Sequence, residues 1–130
     1  MDQEIKAFGI KRTSHIMRIS ETRPGITHKF VVGTIKGYIT VALEDQKVTD
    51  IFVSVDKEGS TLGAWIRAWA VSISKSLQAG VPLKKITDQY RGWQFDPRGV
   101  TNTPQIPIAA SIPDYCARWL DLKFGENDDS

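Results

Sequence analysis

Apolar and polar residues alternate with a period of two in the first half of the chain and switch to a period near 3.6 after Val55. Lys29-Phe30-Val31-Val32 is β-branched and aromatic, Tyr38-Ile39-Thr40-Val41-Ala42-Leu43 alternates, and Asp50-Ile51-Phe52-Val53-Ser54-Val55 is apolar on both sides. Gly33 and Gly37 bracket the first connection and Glu44-Asp45-Gln46-Lys47 forms the second. Connections this short predict antiparallel pairing, because a parallel return needs a dozen or more residues. Beyond Val55, Leu62, Trp65, Ile66, Trp69, Ile73 and Leu77 form one apolar stripe at helical spacing. Gly80-Val81-Pro82 stops that helix. Pro82 then suits the first turn of a shorter helix reaching about Tyr90.

The rest of the chain is less periodic. The first ~25 residues predict one short strand at most, with Arg23-Pro24-Gly25 as a turn. Residues 91–110, interrupted by Gly92, Pro97, Gly99, Pro104 and Pro107, read as a long irregular loop of the kind that is usually functional or disordered. Trp93, Phe95, Ile106 and Ile108 argue for order there. Ser111-Ile112-Pro113-Asp114 opens a last helix with a capping serine, and Ile112, Tyr115, Cys116, Trp119 and Leu120 make its buried face. The expectation is an α+β domain: an antiparallel sheet of three to four strands, then a long, a short and a C-terminal helix packed on one face. It spans 1–125, with 126–130 a polar acidic tail.

With 130 residues the chain has room for one domain and a real core. A formal net charge of +2 gives no argument for membrane or nucleic-acid polymer binding. One cysteine, Cys116, leaves no intramolecular disulfide, and no apolar run approaches a membrane span or a signal peptide. A cytoplasmic protein is expected.

Little chemistry is concentrated in the chain. His15, His28 and Cys116 lack metal-ligand spacing and read as surface or strand-edge histidines and a buried thiol. Asp45, Asp50, Asp56 and Glu58 form no acid–base pair. Two stretches stand out. In the first, Lys57, Gly59, Ser60 and Thr61 sit where a strand gives way to the long helix, so free N–H groups and hydroxyls could hold a phosphate. The alternative there is an ordinary N-cap, worth about 1 kcal/mol. In the second, Arg91, Trp93, Arg98, Thr101 and Asn102 share one loop and could clamp a nucleotide by guanidinium forks and stacking. The alternative is that Trp93 and Phe95 plug the core while Arg91 and Arg98 tie the loop down.

The same segments carry a resemblance. Lys57-Glu58-Gly59-Ser60-Thr61-Leu62, Ser72-Ile73-Ser74-Lys75-Ser76-Leu77-Gln78-Ala79-Gly80-Val81-Pro82-Leu83, Phe95-Asp96-Pro97-Arg98-Gly99, and Ile106-Pro107-Ile108-Ala109-Ala110-Ser111-Ile112 with Asp114-Tyr115 and Arg118-Trp119-Leu120 resemble, in order, the C-terminal TSCPD-type domain of adenosylcobalamin-dependent ribonucleotide reductases. The strands Lys29-Phe30-Val31-Val32-Gly33 and Gly37-Tyr38-Ile39-Thr40-Val41 resemble that domain too. Arg98 replaces a loop serine of the family, and Cys116 falls where the family is apolar. The resemblance implies an origin beside a large barrel that binds adenosylcobalamin and carries redox cysteines. The chain is too small for that barrel, so no cofactor of its own and no catalysis by itself are expected.

Three functions compete. One is a non-catalytic accessory or regulatory module that binds a nucleotide or nucleotide-derived ligand beside a reductase large subunit. Another is a phage-type protein that sequesters a nucleotide or cyclic-nucleotide signal. The third is a docking domain without a small ligand. The small residues Ala64, Ala68 and Ser72 on another face of the long helix, with the tryptophans of its stripe, point to a homo-oligomer.

Overall fold

The computed structural model describes residues 19–56 and 60–125. His15, Lys57, Glu58, Gly59, the strand expected near the N-terminus (apart from residues 19–25) and the tail at 126–130 lie outside the described residues. The elements run β1 (Gly25–Val32), β2 (Ile35–Glu44), β3 (Lys47–Val55), α1 (Thr61–Gln78), α2 (Leu83–Tyr90), β4 (Gly99–Thr103), β5 (Ile106–Ala109) and α3 (Ile112–Phe124). The strands form one antiparallel sheet in the order β3-β2-β1-β4-β5. An α+β fold is what the periodicity predicts. The sheet has five strands, however, against the three to four expected.

Side chains of a strand point alternately to its two faces. Phe30 and Val32 of β1, Ile39 and Val41 of β2, and Ile51, Val53 and Val55 of β3 are buried on one face, beneath the helices. Gly37 is the partner of Phe30 across the β1–β2 ladder, and the phenyl ring lies where a glycine side chain would be. The helix α1 packs on β3, α3 lies on β5, and α2 packs on α3. No helix among the described residues is long and apolar enough to cross a membrane.

The buried face of α1 is rotated from the expected stripe. Gly63, Ile66, Ala70, Ile73, Ser74 and Leu77 face the sheet, whereas Trp65 is 71% exposed. Small residues at 63, 70 and 74 let the helix backbone lie close to β3, which a stripe led by Trp65 could not do. Closeness allows a polar contact inside the core. Ser74 Oγ accepts the Ile51 N–H at 2.9 Å and lies 3.0 Å from the carbonyl of Ile51 and 3.0 Å from that of Ala70. One turn on, Gln78 Nε2 donates to the Thr49 carbonyl at 3.3 Å and to Asp50 Oδ1 at 2.5 Å. Both side chains thus serve the outer edge of β3. Ala64, Ala68 and Ser72 are exposed.

The segment 91–110 is not one irregular loop. Its second half is the β4–β5 hairpin, with Val100 opposite Ile108, Thr103 opposite Ile106 and an irregular register between. β4 is fixed from outside, by Val32 opposite Thr101 and by the Gly33 N–H bonding the Val100 carbonyl at 2.9 Å. Pro104 and Pro107 flank or interrupt these short strands and erase the local alternation, while the partner strand lies some seventy residues earlier. Ile106 is buried as expected, but Trp93 (47%), Phe95 (39%) and Ile108 (68%) are exposed. The loop aromatics do not plug the core.

Candidate functional site

The two helix starts confirm the local chemistry of capping. Ser60 Oγ accepts the Gly63 N–H at 3.1 Å and Ser111 Oγ accepts the Asp114 N–H at 3.1 Å. Ser60 therefore makes the N-cap bond, and Thr61 beside it is exposed. This helix start follows β3 at one edge of the sheet, while the 91–98 loop feeds β4, with β2 and β1 between. The fold does not join the two sequence candidates through neighbouring strands.

The remaining loop residues divide by their partners. Asn102 Oδ1 accepts the Val31 N–H at 3.0 Å and its Nδ2 donates to the Lys29 carbonyl at 3.0 Å, so the amide stitches β4 to β1. Thr101 Oγ1 accepts the Thr103 N–H and hydrogen-bonds the Ile106 carbonyl, closing the hairpin. Arg98 pairs with Asp96 at 3.0 Å in an exposed position. Trp93 lies edge-on to Tyr90 with centroids 5.1 Å apart, and Tyr90 lies edge-on to Trp69 at 5.4 Å. Arg91 forms an ion pair with Asp121.

Arg91 leads to groups that the sequence pattern did not single out. Asp114 is almost wholly buried, and its carboxylate accepts the Gly92 N–H at 2.6 Å, the Ala110 N–H at 2.8 Å and Arg118 Nε at 2.8 Å. Burial alone would raise its pKa. The two backbone donors and the Arg118 guanidinium outweigh that and hold it below the usual carboxylate value. Asp114 thus ties both ends of the 91–110 segment to the first turn of α3. One turn further along α3, Arg118 and Asp121 join Arg91, Gln105, Ile106, Pro107, Ile108 and Leu122 around an open cleft of about 360 Å³ at the β5 edge. Only Arg91 of this group was anticipated. The i, i+4 spacing of Asp114 and Arg118 was the available signal.

A second polar group lies beneath the sheet. His28 sits on the core side of β1, the central strand, and not at a surface or strand edge. Its Nε2 is 2.8 Å from Tyr115 Oη, which is 2.6 Å from Thr103 Oγ1, and its ring stacks on Trp119 at 4.9 Å. Desolvation, then the Lys123 charge, lowers the His28 pKa from 6.5. A lowered folded-state value means that protonation favours the unfolded chain. Stability should therefore be intact above about pH 6.5 and fall as pH drops through the lower folded value. Urea midpoints at pH 7.5 and 5.5 should separate for the native chain and converge for His28→Gln. An equal pH response in the variant would rule out His28 as the cause. Cys116 is fully buried and burial pushes its thiol pKa up, as expected of an unreactive side chain. Among the described residues no three His, Cys, Asp or Glu side chains converge in a metal-binding group.

Comparison with known proteins follows the same segments. The family model of the TSCPD domain matches residues 11–124. The chain is similar to the vitamin B12-dependent ribonucleotide reductase of Rhodopirellula baltica, 37% identical over 113 residues, which cover 86% of this chain and 11% of the relative. That of Streptantibioticus cattleyicolor is 38% identical over 108 residues, covering 82% and 18% respectively. That of Bradyrhizobium diazoefficiens is 36% identical over 109 residues, covering 82% and 9%. The chain thus spans less than a fifth of the length of each of these curated relatives. No solved structure matches. The match across nearly the whole chain, on the strands, helix caps and closing helix described above, shows that the chain belongs to the TSCPD domain family.

Proposed function

We propose that this chain is a non-catalytic, nucleotide-associated module, an accessory or regulatory relative of vitamin B12-dependent ribonucleotide reductase. The observation that carries the reading is the cleft that Arg91, at the end of α2, and Arg118, on α3, line beside an apolar wall of Ile106, Pro107, Ile108 and Leu122. Guanidinium forks match phosphate oxygens, and the wall suits a base or sugar. Asp121 already pairs with Arg91, so an incoming phosphate competes with a carboxylate. Trp93 offers a half-exposed ring on the neighbouring loop.

Calorimetric titration with deoxynucleotides, ATP, cyclic nucleotides and ADP-ribose-type compounds tests it. One class should bind at about 1 μM or tighter, near −8 kcal/mol. Arg91→Ala and Arg118→Ala should each weaken that ligand about tenfold or more, and unchanged affinity in both would sink the cleft. Preference for a cyclic signal over deoxynucleotides would favour a sequestering protein over a reductase accessory.

A docking role is the second reading. It is supported by the outward face of α1, where Trp65 stands exposed among Ala64, Ala68 and Ser72. A flat response to the whole panel, with a dimer mass by light scattering that Trp65→Ala abolishes, favours it.

A further inference from the structure

Among the described residues, both cations that line the cleft already face acids. Arg91, at the end of α2, pairs with Asp121 and lies 4.0 Å from Asp88, which Lys84 in turn holds at 2.9 Å. Arg118 gives its Nε to Asp114 at 2.8 Å and brings the rest of a half-exposed side chain to the cleft. Lys84, Arg91 and Arg118 are thus balanced by Asp88, Asp114 and Asp121, and this cluster is close to neutral before a ligand arrives. Asp114 is not exchangeable, because it is buried and also accepts the Gly92 and Ala110 N–H groups. Asp121 is. It meets Arg91 through Oδ2, while Thr87 Oγ1 donates to its Oδ1 at 2.7 Å and keeps the carboxylate at the cleft wall.

An anion entering such a site trades places with a carboxylate; it does not settle into a bare positive field. One phosphate replacing Asp121 on Arg91, within reach of Arg118, is close to an even trade. Each further phosphate adds charge beside Asp88 and Asp121 with the cations of the cluster already engaged, and like charges a few ångströms apart repel strongly where water is partly excluded. The displaced carboxylate has a requirement of its own. Its side chain is only 19% exposed, so on losing Arg91 it needs another donor. A sugar hydroxyl supplies one on the same molecule as the phosphate, and the wall of Ile106, Pro107, Ile108 and Leu122 suits the base. Resting on the nucleotide reading of this cleft, we propose that its ligand is a nucleoside monophosphate. The phosphate takes the place of Asp121 on Arg91, and Asp121 Oδ2 turns to a sugar hydroxyl. Asp121 then sets selectivity twice, against additional phosphates and for the hydroxyl.

Calorimetric titration with AMP, GMP, CMP and UMP, each beside its triphosphate with and without magnesium, tests the proposal. One monophosphate should bind about tenfold tighter than its triphosphate, or better. Its 2′,3′-dideoxy counterpart should bind about tenfold more weakly than the parent, as expected for a lost hydrogen bond to a charged group. Asp121→Asn keeps an acceptor for Thr87 and removes the charge. It should tighten the triphosphate about tenfold and shrink the dideoxy penalty to about threefold. Circular dichroism checks that the variant folds, and the two comparisons on the native chain stand without it. A triphosphate that binds as tightly as its monophosphate, a dideoxy compound of equal affinity, or a folded Asp121→Asn variant with unchanged selectivity overturns the proposal and leaves the nucleotide reading standing. Binding by no nucleotide of either kind, or binding untouched by both Arg91→Ala and Arg118→Ala, ends the two together.

Discussion

Asp114→Ala is expected to lower stability by about 3 kcal/mol, measured by urea unfolding. The carboxylate is nearly inaccessible and accepts three hydrogen bonds, from Gly92, Ala110 and Arg118. Hydrogen bonds to charged groups contribute about 1.5–3 kcal/mol each. The sum is discounted because Gly92 and Arg118 are exposed and recover water when the acid is removed. Arg118→Ala, which deletes an exposed partner and leaves both backbone bonds, should cost under about 1 kcal/mol. Equal losses in the two variants would mean that the ion pair, not the backbone latch, matters. The lowered Asp114 pKa gives the same sign with pH: its contribution is present above the unfolded value near 3.8 and is lost as pH falls through the lower folded value. That window opens near pH 3.8, below the pH 6.5 at which the His28 window opens.

Gly37→Ala is expected to cost on the order of 3 kcal/mol, at the upper end for overpacking. A Cβ there would stand 2.4 Å from the Ser54 carbonyl oxygen and 2.6 Å from Phe30 Cζ. The ring is movable but the carbonyl belongs to the β2–β3 ladder, so the strands themselves must shift. Phe30→Leu alone should cost roughly 1 kcal/mol or somewhat more. The double variant should be less destabilised than the sum, because the smaller side chain gives the new methyl room. Strict additivity in urea midpoints would show that the ring does not set the requirement for glycine.

These two residues also mark where the sequence could and could not be read. The β1–β3 meander, the two capped helices and the stop at Gly80 were legible because each is written in local periodicity and caps. β4 and β5 were not. Their pairing is fixed by β1, far away in sequence, and prolines break what alternation five- and four-residue strands can show. The candidate site suffered from the same non-locality. Thr101 and Asn102 have the groups a ligand clamp needs, but the hairpin and β1 already engage them. Arg118 and Asp121, which build the cleft with Arg91, lie on a different element; Asp121 has no motif, and Arg118 was marked only by its spacing from Asp114 and by the Arg118-Trp119-Leu120 run. Trp65 followed the helical period and still turned outward, because the sheet selects small residues at its closest contact. Tyr38 and Phe52 were read as strand residues, and only the assembled sheet shows that both are exposed on the face away from the helices.

The serine at position 74 bears on how this protein avoids sticking to itself. β3 is a nine-residue strand at the margin of the sheet, and an unguarded margin recruits strands from other molecules. Here a hydroxyl and, one turn later, an amide from α1 occupy backbone groups at Ile51 and Thr49 that a foreign strand would otherwise seek. The helix is therefore a guard rail as well as a roof. When α1 lifts from the sheet during folding or heating, core side chains and strand margin are uncovered in the same event, and the partly open molecule becomes adhesive at one step.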